Sequence, residues 1–256
     1  MTRYFNVAGP CNEADHYMID ASSRLQGIAD LINQKQYFVI HAARQSGKTT
    51  FLLDMTERLN AEGKYYALYC SLETGQGVTE PKEGIPAIMR QVSKALRFSG
   101  IPNGAKFAEN ADVSDFTGVL ATELTVFCMS LDKPLVIFFD EADCLSEGTL
   151  ITFLRQLRDG YNTRSQIPFV HSIALVGMRN IRDFKAKIRP DRESMGSASP
   201  FNVITKALTL RNFTREEIME LYGQHTRETG QTFDPEAVEL VWCQTQGQPW
   251  LVNAVA

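Results

Sequence analysis

Short runs in which every residue is apolar alternate along this chain with longer stretches in which apolar residues recur every three or four positions. Tyr37-Phe38-Val39-Ile40-His41-Ala42 reads as a buried strand that enters a Ser/Gly-containing turn. A helix follows from about Lys48 to Glu62 and is stopped by Gly63. Tyr65 to Cys70 is a second strand, and the stretch from there to about Gly84 is rich in turn residues without a clear period. Ile88, Val92, Ala95 and Leu96 keep helical spacing, as do Leu120, Leu124, Phe127 and Leu131, and Gly100 to Asn110 between them reads as a surface loop. Leu135 to Phe139 is apolar at every position, the pattern of a strand covered on both faces. Leu150, Phe153, Leu154, Leu157 and Tyr161 mark the next helix, Phe169 to Val176 a fourth strand, and Val203 to Leu210 a fifth.

Strands alternating with helices in this way predict an α/β fold with a parallel sheet covered by helices. The character changes near Asn212. Thr214-Arg215-Glu216-Glu217 has the form of a capping box, and Ile218, Leu221, Tyr222 and His225 then share one helical face. Asp234-Pro235-Glu236 opens another helix with an N-cap and a first-turn proline, and Pro249 opens a third. The expected organisation is an α/β core over 1–211 carrying a small helical lid over 212–256. The apolar end Leu251 to Ala256 carries no stop signal, so further C-terminal domains are expected beyond it.

Composition narrows the function classes. The 256 residues are 44% hydrophobic and 22% charged, which excludes a disordered or fibrous chain. Twenty-six Lys and Arg against 30 Asp and Glu leave a net charge of −4, so no global basic field attracts nucleic acid. No apolar run approaches the ~20 residues of a membrane helix, and Met1 to Phe5 lacks a signal-peptide core. Cys11, Cys70, Cys128, Cys144 and Cys243 form no C-x-x-C pair and His16, His41, His171 and His225 no metal spacing, which points to free thiols in a reducing, cytoplasmic setting.

The candidate chemistry begins at Ala42-Ala43-Arg44-Gln45-Ser46-Gly47-Lys48-Thr49, between the first strand and its helix. A phosphate-binding loop must aim backbone N–H groups at phosphate oxygens and use the positive end of the following helix. Gly47 permits close approach, Lys48 brings a mobile charge, and the Thr49 hydroxyl can ligate Mg²⁺. Ala42 stands where the general pattern has glycine, a substitution tolerable at negative φ. About 90 residues on, the apolar strand ends in Asp140-Glu141. Asp140 suits a Mg²⁺-bound water in the manner of a Walker B aspartate, and Glu141 suits a general base. Together these residues specify nucleotide hydrolysis. Arg155 or Arg158, on the helix that follows, suits an arginine finger offered to a second copy of the chain.

With R-Q-S-G-K-T-T at Arg44–Thr50, F-F-D-E at Phe138–Glu141 and G-Q-P-W at Gly247–Trp250, the chain resembles the AAA+ P-loop ATPases, and more narrowly the bacterial and archaeal AAA-like and STAND-type members, from about Tyr17 onwards. The resemblance implies a three-layer sandwich with strand order 5-1-4-3-2, ATP and Mg²⁺ as ligands, and phosphate contacts from Ala43, Arg44, Gln45, Ser46, Gly47, Lys48, Thr49 and Thr50. It further implies adenine packing by Tyr17 and Met18, base contact at Pro249, and a γ-phosphate sensor at Arg179 or Asn180. The absence of an arginine near Gly247-Gln248-Pro249 in the place usual for AAA+ lids favours the STAND-like form. A basic stretch over 179–192 (Arg179, Arg182, Lys185, Lys187, Arg189, Arg192) is a candidate nucleic-acid contact, although Phe184 is its sole aromatic residue. A protein partner is also expected. A kinase acting on a small acceptor is disfavoured, since no acceptor-binding constellation is visible.

Overall fold

A computed structural model describes residues 2–178 and 200–256. Five strands, β1 (Tyr37–His41), β2 (Tyr66–Ser71), β3 (Leu135–Asp140), β4 (Ser172–Gly177) and β5 (Ile204–Thr209), form one sheet in the order β2-β3-β4-β1-β5. The pairs β2–β3, β3–β4 and β4–β1 are parallel, with Phe38 opposite Ala174 and Phe138 opposite both Tyr69 and Ala174. This is the expected parallel α/β sandwich, and the strand order is the one that the resemblance implies. The apolar runs explain it: β3 and β4 are buried at every position, whereas edge strand β2 is only half-buried at Tyr66, Tyr69 and Ser71 and β5 exposes Thr205, Lys206 and Thr209. The exposed Lys206 on an edge strand discourages pairing with another sheet.

Helices α1 (Ile28–Asn33), α2 (Lys48–Glu62), α3 (Pro81–Phe98), α4 (Val119–Met129) and α5 (Glu147–Thr163) accompany the sheet, and α6 (Arg215–Thr229), α7 (Pro235–Thr245) and α8 (Pro249–Ala254) end the chain. The expected capping box is present: Glu217 N–H donates to Thr214 Oγ1 (3.2 Å) and Thr214 N–H to Glu217 Oε2 (2.9 Å). None of the helices among the described residues is long and apolar enough to cross a membrane.

Two local expectations are corrected. The turn-rich stretch ends at Glu80 rather than near Gly84: α3 begins with Pro81 at its first position, where a missing N–H costs nothing. Gly84 is there because α5 approaches closely: a Cβ would collide with the Thr149 side chain. Between Gly100 and Asn110, Ile101, Gly104 and Phe107 are buried, and a Cβ on Gly104 would meet the Leu96 carbonyl. That loop is therefore packed rather than purely superficial.

The chain divides into two compact units. One comprises Gly27–His41 and Thr56–Leu208, with a core built from the strands, α3 (Ile85, Ile88, Val92), α4 (Leu120, Leu124) and α5 (Phe153, Leu154, Leu157). In this unit the buried Gln156 caps α4 from outside that helix. Its Oε1 accepts from Leu120 N–H (2.9 Å) and Ala121 N–H (3.3 Å), and its Nε2 donates to Phe116 O (3.0 Å). The other unit comprises Met1–Gln26, Ala42–Met55 and Thr209–Ala256. Its core gathers Tyr17, Phe213, Ile218, Leu221, Tyr222 and Val252. Around it Phe5 meets Tyr17 with ring centres 4.9 Å apart, and Phe233 stacks on Tyr222 at 4.3 Å.

Gln156→Leu keeps the apolar volume but strands two buried N–H groups and a carbonyl. A loss of roughly 2–4 kcal/mol is expected, read as a lower urea midpoint.

Candidate functional site

The loop after β1 carries the first group of predicted residues. Gln45 and Gly47 lie in the left-handed region (φ 56° and 82°), so the chain doubles back over a few residues. Lys48 begins α2, is buried, and donates from Nζ to Ala43 O (2.8 Å) and Ala42 O (3.2 Å). Ser46 is also buried, and its hydroxyl is without a hydrogen-bond partner. Thr49 is half-buried in the first turn of α2. The Thr50 hydroxyl beside it accepts from Cys11 N–H (3.1 Å), so the N-terminal segment holds the start of this helix.

The same unit brings up Gly247-Gln248-Pro249. Gly247 has φ 70°, and its carbonyl accepts from Phe213 N–H (2.8 Å) so closely that a Cβ would run into Phe213 O. Pro249 is buried at the first position of α8. Gln248 does two jobs, accepting from Leu251 N–H (2.8 Å) as N-cap and donating from Nε2 to Arg44 O (3.2 Å) in the phosphate loop. Tyr17 lies in the core, 1% exposed, its hydroxyl donating to Glu228 (3.1 Å). Met18 is half-buried and exchanges both backbone bonds with the Gln224 side chain on α6.

Arg24 had no local sequence signal. It is 6% exposed and donates to Ser46 O (Nη2, 2.8 Å) and to Arg211 O (Nε 2.9 Å, Nη2 2.5 Å), with its guanidinium over the Phe213 ring. Burial pulls its pKa down to about 10, against a partly restoring pull from Glu217 and with Arg211 adding to the fall. Arg211 in turn forks onto Glu217 with two 2.7 Å bonds. Burial alone would push the Glu217 carboxyl up. The bonds from Arg211, Thr214 N–H and the Ser23 hydroxyl outweigh it and hold the group at about 2.

The acidic pair belongs to the other unit. Asp140 ends β3 with 1% exposure, its Oδ2 accepting from the Tyr69 hydroxyl (3.1 Å) and its Oδ1 from Glu141 N–H (3.0 Å). Strand alternation stops there: Glu141 has φ 56°, so a turn rather than the pleat sets its direction. Asp143, which sequence reasoning passed over, accepts from Met178 N–H (3.0 Å) and stands against Gly177 at the end of β4, where a Cβ would meet its Oδ1 at 2.5 Å. Arg155 is exposed and Arg158 half-buried on α5. Arg179, Asn180 and the basic stretch 179–192 lie outside the described residues.

No protein-family model matches the chain, and no curated protein matches it. Among solved structures it is similar to the Walker-type ATPase of Pyrococcus abyssi, with a TM-score of 0.62 and 16% identity over 97% of this chain and 69% of that one. It is also similar to the ORC1 protein of Aeropyrum pernix in complex with DNA (0.56, 15%, 93% and 58%) and to Cdc6p from Pyrobaculum aerophilum (0.51, 14%, 85% and 52%). At these identities the likeness is one of fold: the chain shares the parallel α/β fold of the Walker-type ATPase and of the ORC1 and Cdc6p proteins. The chain spans 58% and 52% of the two latter proteins, so those are considerably longer.

Gly247→Ala meets both a left-handed backbone and the Phe213 carbonyl, and a loss of about 1–3 kcal/mol is expected in thermal unfolding. Because the folded pKa of Glu217 lies below its ordinary 4.5, its contribution to stability is full above that value and falls away as pH drops from 4.5 towards 2. Glu217→Gln should therefore flatten the acid limb of the stability–pH curve across that window while lowering stability at pH 7.

Proposed function

We propose that the chain is an ATP-binding module that hydrolyses ATP to ADP and phosphate and uses its C-terminal helices, 212–256, as a nucleotide-responsive lid on a core of 1–211. The observation that carries this reading is the loop after β1, which buries the Lys48 ammonium at the start of α2 and buries the Ser46 hydroxyl without a hydrogen-bond partner. A buried ammonium costs several kcal/mol unless an anion or fixed dipoles meet it, and phosphate oxygens fit both groups.

The division of labour follows from residue chemistry. Amides of Ala43 to Thr50 and the Lys48 ammonium bind the phosphates, and Pro249 with Tyr17 and Met18 borders the base. Thr49 and Asp140 are the groups suited to hold Mg²⁺, which when bound neutralises phosphate charge. Glu141 polarises the attacking water, and Arg179 or Asn180 senses the γ-phosphate. Tyr69 holds Asp140 in one orientation through its hydroxyl. Arg155, exposed on α5, or Arg158 serves a second copy of the chain as a finger.

A second reading, a STAND-like switch that retains nucleotide with little turnover and exchanges protein partners, is favoured by the bond from Gln248 at the head of α8 to the phosphate loop. A nucleic-acid partner is supported by the basic stretch 179–192 and by the likeness to a protein whose structure was determined with DNA. Salt-dependent binding of duplex DNA checks that partner.

Steady-state hydrolysis and nucleotide binding, measured on the same preparations, test the assignment. Lys48→Ala should abolish detectable ATP binding. Glu141→Gln should retain ATP while turnover falls by about 10²–10⁴-fold, the usual worth of a general base. Tight retention with negligible wild-type turnover would replace the hydrolase with the switch.

A further inference from the structure

Two side chains outside the phosphate loop grip its outward carbonyls. Arg24 Nη2 donates to Ser46 O at 2.8 Å, and Gln248 Nε2 donates to Arg44 O at 3.2 Å. Both belong to the same compact unit as the loop. They come from opposite ends of the chain, one just before α1 and the other at the head of α8.

The consequence lies in the peptide plane. A trans peptide is flat, with its C=O and N–H pointing in opposite directions, and the chain has no cis bond among the described residues. A donor that fixes the Ser46 carbonyl therefore fixes the Gly47 N–H away from Arg24. In the same way the bond to the Arg44 carbonyl turns the Gln45 N–H away from Gln248. These are the two amides of the left-handed residues that fold the loop into a concavity. Left alone, such peptide planes would flip in water and offer carbonyl oxygens to an anion for part of the time.

Arg24 is built for this purpose rather than for an ion pair. The acceptors it meets are carbonyls, Ser46 O and Arg211 O, and its ring contact with Phe213 fixes the plane of the guanidinium. Its Nη1 lies 3.3 Å from where a Cβ on Gly47 would stand, so glycine there also makes room for the arginine. Gln248 is equally constrained, because its Oε1 is committed to Leu251 N–H as the cap of α8. A shift of α8 would move its Nε2 off the loop.

We propose that Arg24 and Gln248 are positioning residues that preset the Gln45 and Gly47 amides for phosphate, Arg24 from the N-terminal segment and Gln248 from the C-terminal helices. This inference rests on the nucleotide-binding reading above. It makes the affinity for phosphate a property of the docked α8 and not of the loop alone.

The test uses the full chain with Mg²⁺-ATP and Mg²⁺-ADP as probes, and amide hydrogen exchange without nucleotide as an independent readout. Arg24→Met removes all three bonds to the two carbonyls, and Arg24→Lys can restore one. Gln248→Ser keeps a helix cap but is too short to reach Arg44 O. Arg24→Met and Gln248→Ser should each weaken both nucleotides by about tenfold, the worth of one to two hydrogen bonds, with Arg24→Lys recovering part of the loss. In steady state KM should rise more than kcat falls. Exchange at the Gln45 and Gly47 amides should quicken in the two disruptive variants. Unchanged affinity accompanied by a lowered unfolding temperature would overturn the proposal and leave both residues as structural supports. If the wild type binds neither nucleotide, the nucleotide-binding reading fails by itself. The clamp is then judged on exchange: quickened amides uphold it, and unchanged amides refute it.

Discussion

Everything in the smaller unit hangs on a guanidinium taken out of water. An arginine buried to 6% exposure forfeits hydration worth several kcal/mol, and nothing but well-placed acceptors offsets that. Arg24 finds them in two carbonyls, one in the phosphate loop and one immediately before the last helical stretch. The geometry that satisfies the charge therefore fixes three pieces of chain against one another. Arg211 carries the tie onward to Glu217, which caps α6, so loop, junction and helix are joined by polar bonds around an aromatic core.

The larger unit depends on a different constraint. β3 and β4 are covered on both faces, so their backbone polar groups can be satisfied only by neighbouring strands, and the parallel ladder follows. Such a ladder ends abruptly. At the end of β3 the carboxylate of Asp140 is buried with a tyrosine hydroxyl and the next amide as its partners, and Glu141 turns left-handed directly afterwards. At the end of β4 the lack of a side chain on Gly177 leaves space for Asp143. Polar groups therefore concentrate where the apolar strands stop.

Much of this was legible from residues alone. The apolar runs located all five strands to within three residues at either end, and the cap signals at Thr214, Asp234 and Pro249 opened helices where expected. Errors arose where one residue type serves two purposes. Pro81 and Gly84 signal a turn by composition, yet they begin α3, since proline suits a first helical turn and glycine suits close helix packing. Ile101 and Phe107, hidden in a polar stretch, are buried.

Periodicity and steric preference act over a few residues, which is why the strands, the helix starts and the phosphate-loop motif can be read from residue order alone. Hydrogen bonds between distant segments leave no such local trace. Arg24 lies 187 residues from Arg211, and Gln248 lies 204 from Arg44. Gln156, 36 residues from the amide it caps, would pass for an ordinary helix residue. Which polar side chains are buried, and which carbonyls they hold, is settled by the folded chain, because the cost of burying them is met by acceptors that folding alone brings within reach.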